Sequence, residues 1–153
     1  MGISITRSHL SNKQIKETGE FVINVPSEDI LWETDVCGCV KGRKKDKFNL
    51  TGLTLIPSRI VKVPSIKECS VNIECKVKHV LDMGMDDLFI ADVVANFADE
   101  EIVRPGAEST TNIAFKKAVL YVSKWKPLLN IHGGGEYWNL KEALQPLFYT
   151  KKR

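Results

Sequence analysis

The sequence predicts a mainly β fold with a few helices, and three observations carry that reading. From Ser70 to Lys78, apolar Val71, Ile73, Cys75 and Val77 alternate with Asn72, Glu74, Lys76 and Lys78. Strict alternation marks a strand with one packed face, the other being wet or at an interface. Leu88 to Phe97 is apolar on both faces, as a central strand is. Asp82 to Asp87, with Gly84, supplies the reversal between them, so the two strands pair antiparallel.

The remaining elements follow in order. Met1 to Thr6 opens as a strand. Ser11-Asn12-Lys13-Gln14 has the form of a capping box, and the helix it starts runs to Thr18 with Gly19 as its stop. Phe21, Ile23 and Val25 share one face of a strand that Pro26 ends. Ser27 is placed to cap a second helix, with Glu28 and Asp29 at its positive end. That helix is expected to carry Ile30, Leu31 and Trp32 into the core. Phe48 to Gly52 reads as a short helix or turn. Leu53 to Pro64, with prolines at 57 and 64, reads as an edge or extended connection. Asp99 to Ile113 is a polar surface excursion, Ala118 to Val122 a final strand, and Leu140 to Leu147 a short helix.

At 153 residues, one domain covering residues 1–153 is the expectation. A net charge of +3 is too small to argue for a nucleic-acid partner. No apolar run reaches membrane-spanning length and no signal-peptide core is present, so the cytoplasm is the expected compartment. Cys37, Cys39, Cys69 and Cys75 lack paired C-x2-C spacing, so no metal site is expected and they read as small hydrophobes. No hydrolytic triad, P-loop or dinucleotide fingerprint is present, and no catalytic side chain stands out. A chain so poor in side-chain chemistry either binds something or takes its chemistry from a cofactor.

Two stretches could hold an anion. Asp35 to Phe48 reads DVCGCVKGRKKDKF, placing Arg43, Lys44, Lys45 and Lys47 after two glycines. On residues alone this run is either a solvated basic turn or a phosphate cradle. Thr6 to Ser11 lies between a strand and a helix N-terminus, where free N–H groups favour an anion; Arg7, Ser8, His9 and Ser11 add donors.

GRKKDKF resembles the G-R-x-x-D-K-F segment of the flavoredoxin-like flavin reductases, the FMN-binding split-barrel proteins. Ser4 to Ile30 resembles the strand, loop, helix and strand ahead of that motif. Gly52 to Val77 resembles the segment ending in the family's C-P-V-x-x-E-C strand, and Leu88 to Val103 its next long strand. The likeness runs in order from Gly2 to Val103; beyond Arg104 only GGGEYWNL resembles a family segment.

The resemblance implies an FMN-binding split barrel that transfers electrons from NAD(P)H or another carrier through bound FMN. It implies a homodimer with the flavin at the subunit interface. His9, Ser11, Arg43 and Lys47 would hold the FMN phosphate, and Asp46 would orient Lys47. His9 stands where many relatives have arginine, and Met85-Asp86-Asp87 where many have a histidine. The family's opening strands have no counterpart ahead of Met1, so an incomplete barrel that binds flavin weakly or leans on its dimer partner is expected. Three other readings stay open: an FMN shuttle that never meets NAD(P)H, a non-catalytic module for a phosphate ligand, and an inactive remnant.

Overall fold

The computed structural model describes residues 1–42, 44–103, 120, 122–130 and 136–140. Its centre is an antiparallel sheet of four strands in the order β1-β6-β5-β2, where β1 is Gly2–Thr6, β2 Glu20–Val25, β5 Val71–Asp82 and β6 Asp86–Ala98. The β5–β6 hairpin is the longest pairing, and Gly84, at φ 85°, makes the turn that sequence reading assigned to it. β6 lies between β5 and β1, the central place that its apolar run predicts.

The sheet curls because the hairpin carries two bulges. Glu74 opposes Ala95 while Cys75 opposes Val93, so Val94 has no opposite number. Val77 opposes Ala91 and His79 opposes Ile90, so Lys78 is the second extra residue. The result is a mainly β half-barrel with few helices.

One face of the sheet is covered by α1 (Leu10–Thr18), whose Ile15 packs with Phe21, Cys75, Phe89 and Ala91. Ile3, Ile5, Ile23, Ile73 and Val77 complete this cluster. Gly19 ends α1 in the left-handed region at φ 66°, its N–H donating to the Ile15 carbonyl at 2.8 Å. The start of α1 departs from expectation. His9 is the cap residue, Leu10 already begins the helix, and Ser11 sits exposed in the first turn. The capping box does not form because the chain turns into the helix two residues before Ser11 could cap it.

The opposite face of β5 is wet at Lys76 and Lys78 but not at its start. Asn72 and Glu74 are buried there, covered by the chain's own Arg59–Ile66 stretch. The longer segment from Thr54 to Ile66 includes β3 (Leu55–Ile56) paired with β4 (Ser65–Ile66) but is otherwise irregular. Its backbone N–H groups are accepted by side chains: Arg59, Ile60 and Val61 by Glu74, Lys62 by Glu20, Ile66 by Asn24 and Thr54 by Glu68. The Arg59 guanidinium also lies 4.4 Å over the Phe97 ring.

After β2, a single 3-10 turn (Glu28–Ile30) leads into α2 (Leu31–Cys39). Ser27 precedes the turn but makes no capping bond; its hydroxyl donates to Asp29 at 3.4 Å. Leu31 and Trp32 do not enter the core: Trp32 is 58% exposed, because it sits in the first turn of a helix with no buried residue. The short helix α3 (Lys47–Thr51) matches the one read at Phe48 to Gly52 and ends on Gly52 at φ 74°.

Towards the C-terminus, Glu100–Ile102 form a turn that buries Ile102. Val103 bridges to Leu120. The strand expected over Ala118 to Val122 is corrected at its end, where Val122 starts the short α4 (Val122–Trp125); residues 118, 119 and 121 lie outside the described residues. β7 (Leu128–Asn130) pairs with β8 (Tyr137–Asn139). His132 and the helix expected after Leu140 also lie outside the described residues.

Candidate functional site

The two stretches singled out in the sequence meet in space. A Cβ built on Gly42 would lie 3.5 Å from Leu10 Cδ2 at the start of α1 and 3.8 Å from Lys47 Cε. The basic loop at Gly42 therefore lies against the N-terminal turn of α1, at a separation that would place a Cβ in ordinary contact. His9 and Ser11 are exposed on the α1 side. Lys41, Lys44 and Lys45 are exposed on the loop side, and Arg43 lies outside the described residues.

The α1 end suits an anion. His9 offers no side-chain acceptor to the first turn, so the first-turn N–H groups are left to solvent or a ligand. The charged side chains do not all point there. Lys47 donates its ammonium to the carbonyl of Cys37, in the last turn of α2, where a cation suits the negative end of the helix. Asp46, expected to orient Lys47, makes its bonds elsewhere. Its carboxylate caps α3, accepting from Phe48 N at 2.9 Å, Asn49 N at 3.3 Å and the Asn49 amide at 2.9 Å. The local sequence explains this: aspartate directly before a helix is a good cap, and its own first-turn N–H groups are nearer than any ligand.

Arg7, read as a further donor for an anion, is turned away. Its guanidinium contacts Asp87 through Nε at 3.1 Å and Nη2 at 3.0 Å, and it also pairs with Asp82. The sequence reading missed Asp87, which it placed in the turn. In the structure the inward row of β6 runs Ala91, Phe89, Asp87, so Asp87 continues the core face and is 2% exposed. The signal was there in the period of two, which runs one step past Leu88.

Asn12 donates to Asp87 Oδ2 at 2.9 Å and Lys16 reaches the same oxygen at 2.6 Å. The hydrogen bonds from Lys16 and then Asn12 hold the Asp87 carboxyl down at about 2. Asp82 is held low as well, first by Arg7 and then by the Gly84 N–H.

Tyr137, from the glycine-tyrosine segment, donates to Asp35 on α2 at 3.3 Å, and partial desolvation and that carboxylate raise its phenol. The four cysteines are free thiols. Among the described residues, no group of three or more His, Cys, Asp or Glu side chains is arranged to hold a metal ion. No described helix is long and apolar enough to cross a membrane.

Comparison with known proteins agrees with the curled, mainly β sheet and gives its family. The flavin reductase like domain matches residues 1–133, and the chain belongs to that family. An uncharacterised protein of Pyrococcus abyssi is 43% identical over 106 residues, which cover 69% of this chain and 60% of that protein. Flavoredoxin from Methanosarcina acetivorans superposes with a TM-score of 0.83 at 27% identity, covering 99% of this chain and 74% of that one. A flavin reductase with a split barrel domain from Shewanella frigidimarina, 17% identical, shares the fold with a TM-score of 0.77, over 95% of this chain and 69% of that one. The chain spans about half to three-fifths of the length of the first curated relatives it matches.

Proposed function

We propose that this chain binds FMN and works in flavin-dependent electron transfer, taking electrons from a reduced nicotinamide or another carrier. The observation that carries the reading is the nearness of Gly42 to Leu10, with the basic loop beside the open N-terminus of α1 in a chain of the flavin reductase like family. The residues fit a phosphate. His9, Ser11 and the first-turn N–H groups of α1 would face it from one side, and Arg43 with Lys47 from the other. Lys47 would reach it by exchanging its carbonyl partner or would shape the loop from where it is. Asp46 would serve the site by fixing the start of α3.

Bound flavin would supply the hydride and electron chemistry, which the side chains lack. The protein's part is to orient the ring, hold the phosphate and limit water. A homodimer that completes the flavin site is part of the proposal. Exposed Trp32 and Met85 support it as apolar surface beside the two ligand loops, Trp32 on α2 ahead of the basic loop and Met85 bonded through its carbonyl to Arg7 N.

Titration of the purified chain with FMN and with riboflavin, followed by flavin fluorescence, tests the reading. FMN should bind more tightly by about tenfold or more, as charge-assisted bonds to a phosphate require. A chain that binds neither flavin does not have this function. Oxidation of NADH or NADPH by the loaded protein then separates a reductase from an electron shuttle.

A further inference from the structure

Four donors from three separate residues converge on the buried carboxylate of Asp87, which lies in neither ligand loop. Arg7 supplies Nε and Nη2, Asn12 its amide and Lys16 its ammonium. These partners bracket the short connection between β1 and α1. Arg7 is the first residue after the strand; Asn12 and Lys16 stand one and two turns into the helix. The same Asn12 amide also donates to the Ile5 carbonyl at 2.9 Å, tying helix to strand a second time.

We infer that Asp87 is a positioning residue for the ligand phosphate: it clamps both ends of the β1–α1 connection, so that His9, Ser11 and the open end of α1 are held against the basic loop. The inference rests on the flavin reading. The remaining backbone ties are few. Arg7 N donates to the Met85 carbonyl at 3.1 Å and His9 N to the Thr6 carbonyl at 3.0 Å. Ser8 and His9 are exposed and receive no packing from the core. Without the clamp the connection can move relative to the loop, and an anion site built from backbone N–H groups loses its geometry with it.

The electrostatics agree. Arg7 and Lys16 are balanced by Asp82 and Asp87, so the clamp is neutral as a unit. Arg7 therefore acts through the carboxylate rather than as a free cation for the ligand. An amide in place of the Asp87 carboxylate would turn an NH2 towards donors and break the convergence.

The test compares the wild-type chain with Asp87→Asn and with the milder Lys16→Met, which leaves Arg7 and Asn12 in place. FMN affinity of Asp87→Asn should fall about tenfold and riboflavin affinity by less than about twofold. Lys16→Met should move the same ratio in the same direction by a smaller factor. In flavin-free protein, exchange of the Arg7 and His9 amides, which are bonded to the Met85 and Thr6 carbonyls, should quicken in both variants while the β5–β6 strands keep their protection.

A purely structural Asp87 predicts equal losses for FMN and riboflavin, and that outcome overturns the inference. Unchanged exchange of the Arg7 and His9 amides in Lys16→Met also overturns it, even where Asp87→Asn does not fold. Wild-type protein that binds neither flavin removes the flavin reading, and the phosphate role with it, while the exchange data still report whether the clamp exists.

Discussion

The Glu74 carboxylate accepts the backbone N–H of Val61 at 3.0 Å, and both residues are buried. The same carboxylate takes the N–H of Arg59 at 2.9 Å and of Ile60 at 2.8 Å. One side chain thus does for the irregular Arg59–Val61 stretch what a neighbouring strand would otherwise do. It fastens that stretch over the outer face of β5.

Glu74→Ala should therefore destabilise the fold more than a surface glutamate would. The change leaves three N–H groups without an acceptor, and Val61 cannot easily regain one from water. A loss of at least about 3 kcal/mol is expected, with Glu74→Gln losing about half of that. Urea unfolding followed by circular dichroism measures both. A change in Glu74→Ala below about 0.5 kcal/mol would show that the segment holds itself in place.

The thiols should divide into two classes. Burial, then the Glu68 and Cys37 charges, pushes the Cys69 thiol up to about 11, and burial raises Cys75. Only the thiolate attacks a disulfide reagent, so these two should be inert near neutral pH in the folded chain. Cys39 is exposed and Cys37 half-buried. A chromogenic thiol reagent should thus count Cys39 quickly, Cys37 more slowly, and Cys69 and Cys75 only after denaturant is added. Four fast thiols in native buffer would contradict the placement of Cys69 and Cys75.

Much of the sheet could be read from local pattern. The alternation around Cys75, the two-sided apolar run of β6, Gly84 at the hairpin and Gly19 after α1 all act over a few residues. What escaped depends on partners far along the chain. Glu74 looks like an outward residue until Arg59–Val61 closes over it. Arg7 looks like a ligand for an anion until Asp87 arrives from β6. Trp32 looks like core because it is apolar, yet α2 buries nothing. In the candidate site the sequence motif correctly drew attention to two loops that do meet. It could not show that Lys47 and Asp46 are already engaged, because their partners are a helix carbonyl and the chain's own next turn.

The bond from Lys47 to the Cys37 carbonyl gives Lys47 two effects that one substitution can separate. Lys47→Met keeps most of the stem and removes the ammonium. Loss of a charge-assisted bond in a half-buried setting should lower stability by about 1–2 kcal/mol. If the ammonium also serves a phosphate, FMN affinity should fall about tenfold with riboflavin little changed. Calorimetric titration with the two flavins decides this. Equal weakening of both would mean that Lys47 shapes the loop and does not read the phosphate.

Acid should weaken the fold through Asp87 in a window set by its neighbours. Its carboxyl is held at about 2 by Lys16, Asn12 and Arg7, well below the ~4 of an unpaired aspartate. The folded state therefore takes up this proton less readily than the unfolded chain. The stabilisation is fully present above about pH 4 and is lost as pH falls through about 2. Asp82, also held low by Arg7, adds in the same direction. Urea midpoints measured from pH 6 down to pH 2 should show the advantage of wild type over Asp87→Asn shrinking below about pH 4, since the asparagine cannot titrate. Moderate salt should narrow the gap only slightly, because the carboxylate is buried against its partners and screening acts mainly on exposed charges. A gap that stays constant from pH 6 to pH 2 would mean that Asp87 titrates alike in the folded and unfolded chain, and that the convergence of Arg7, Asn12 and Lys16 on it does not hold in solution.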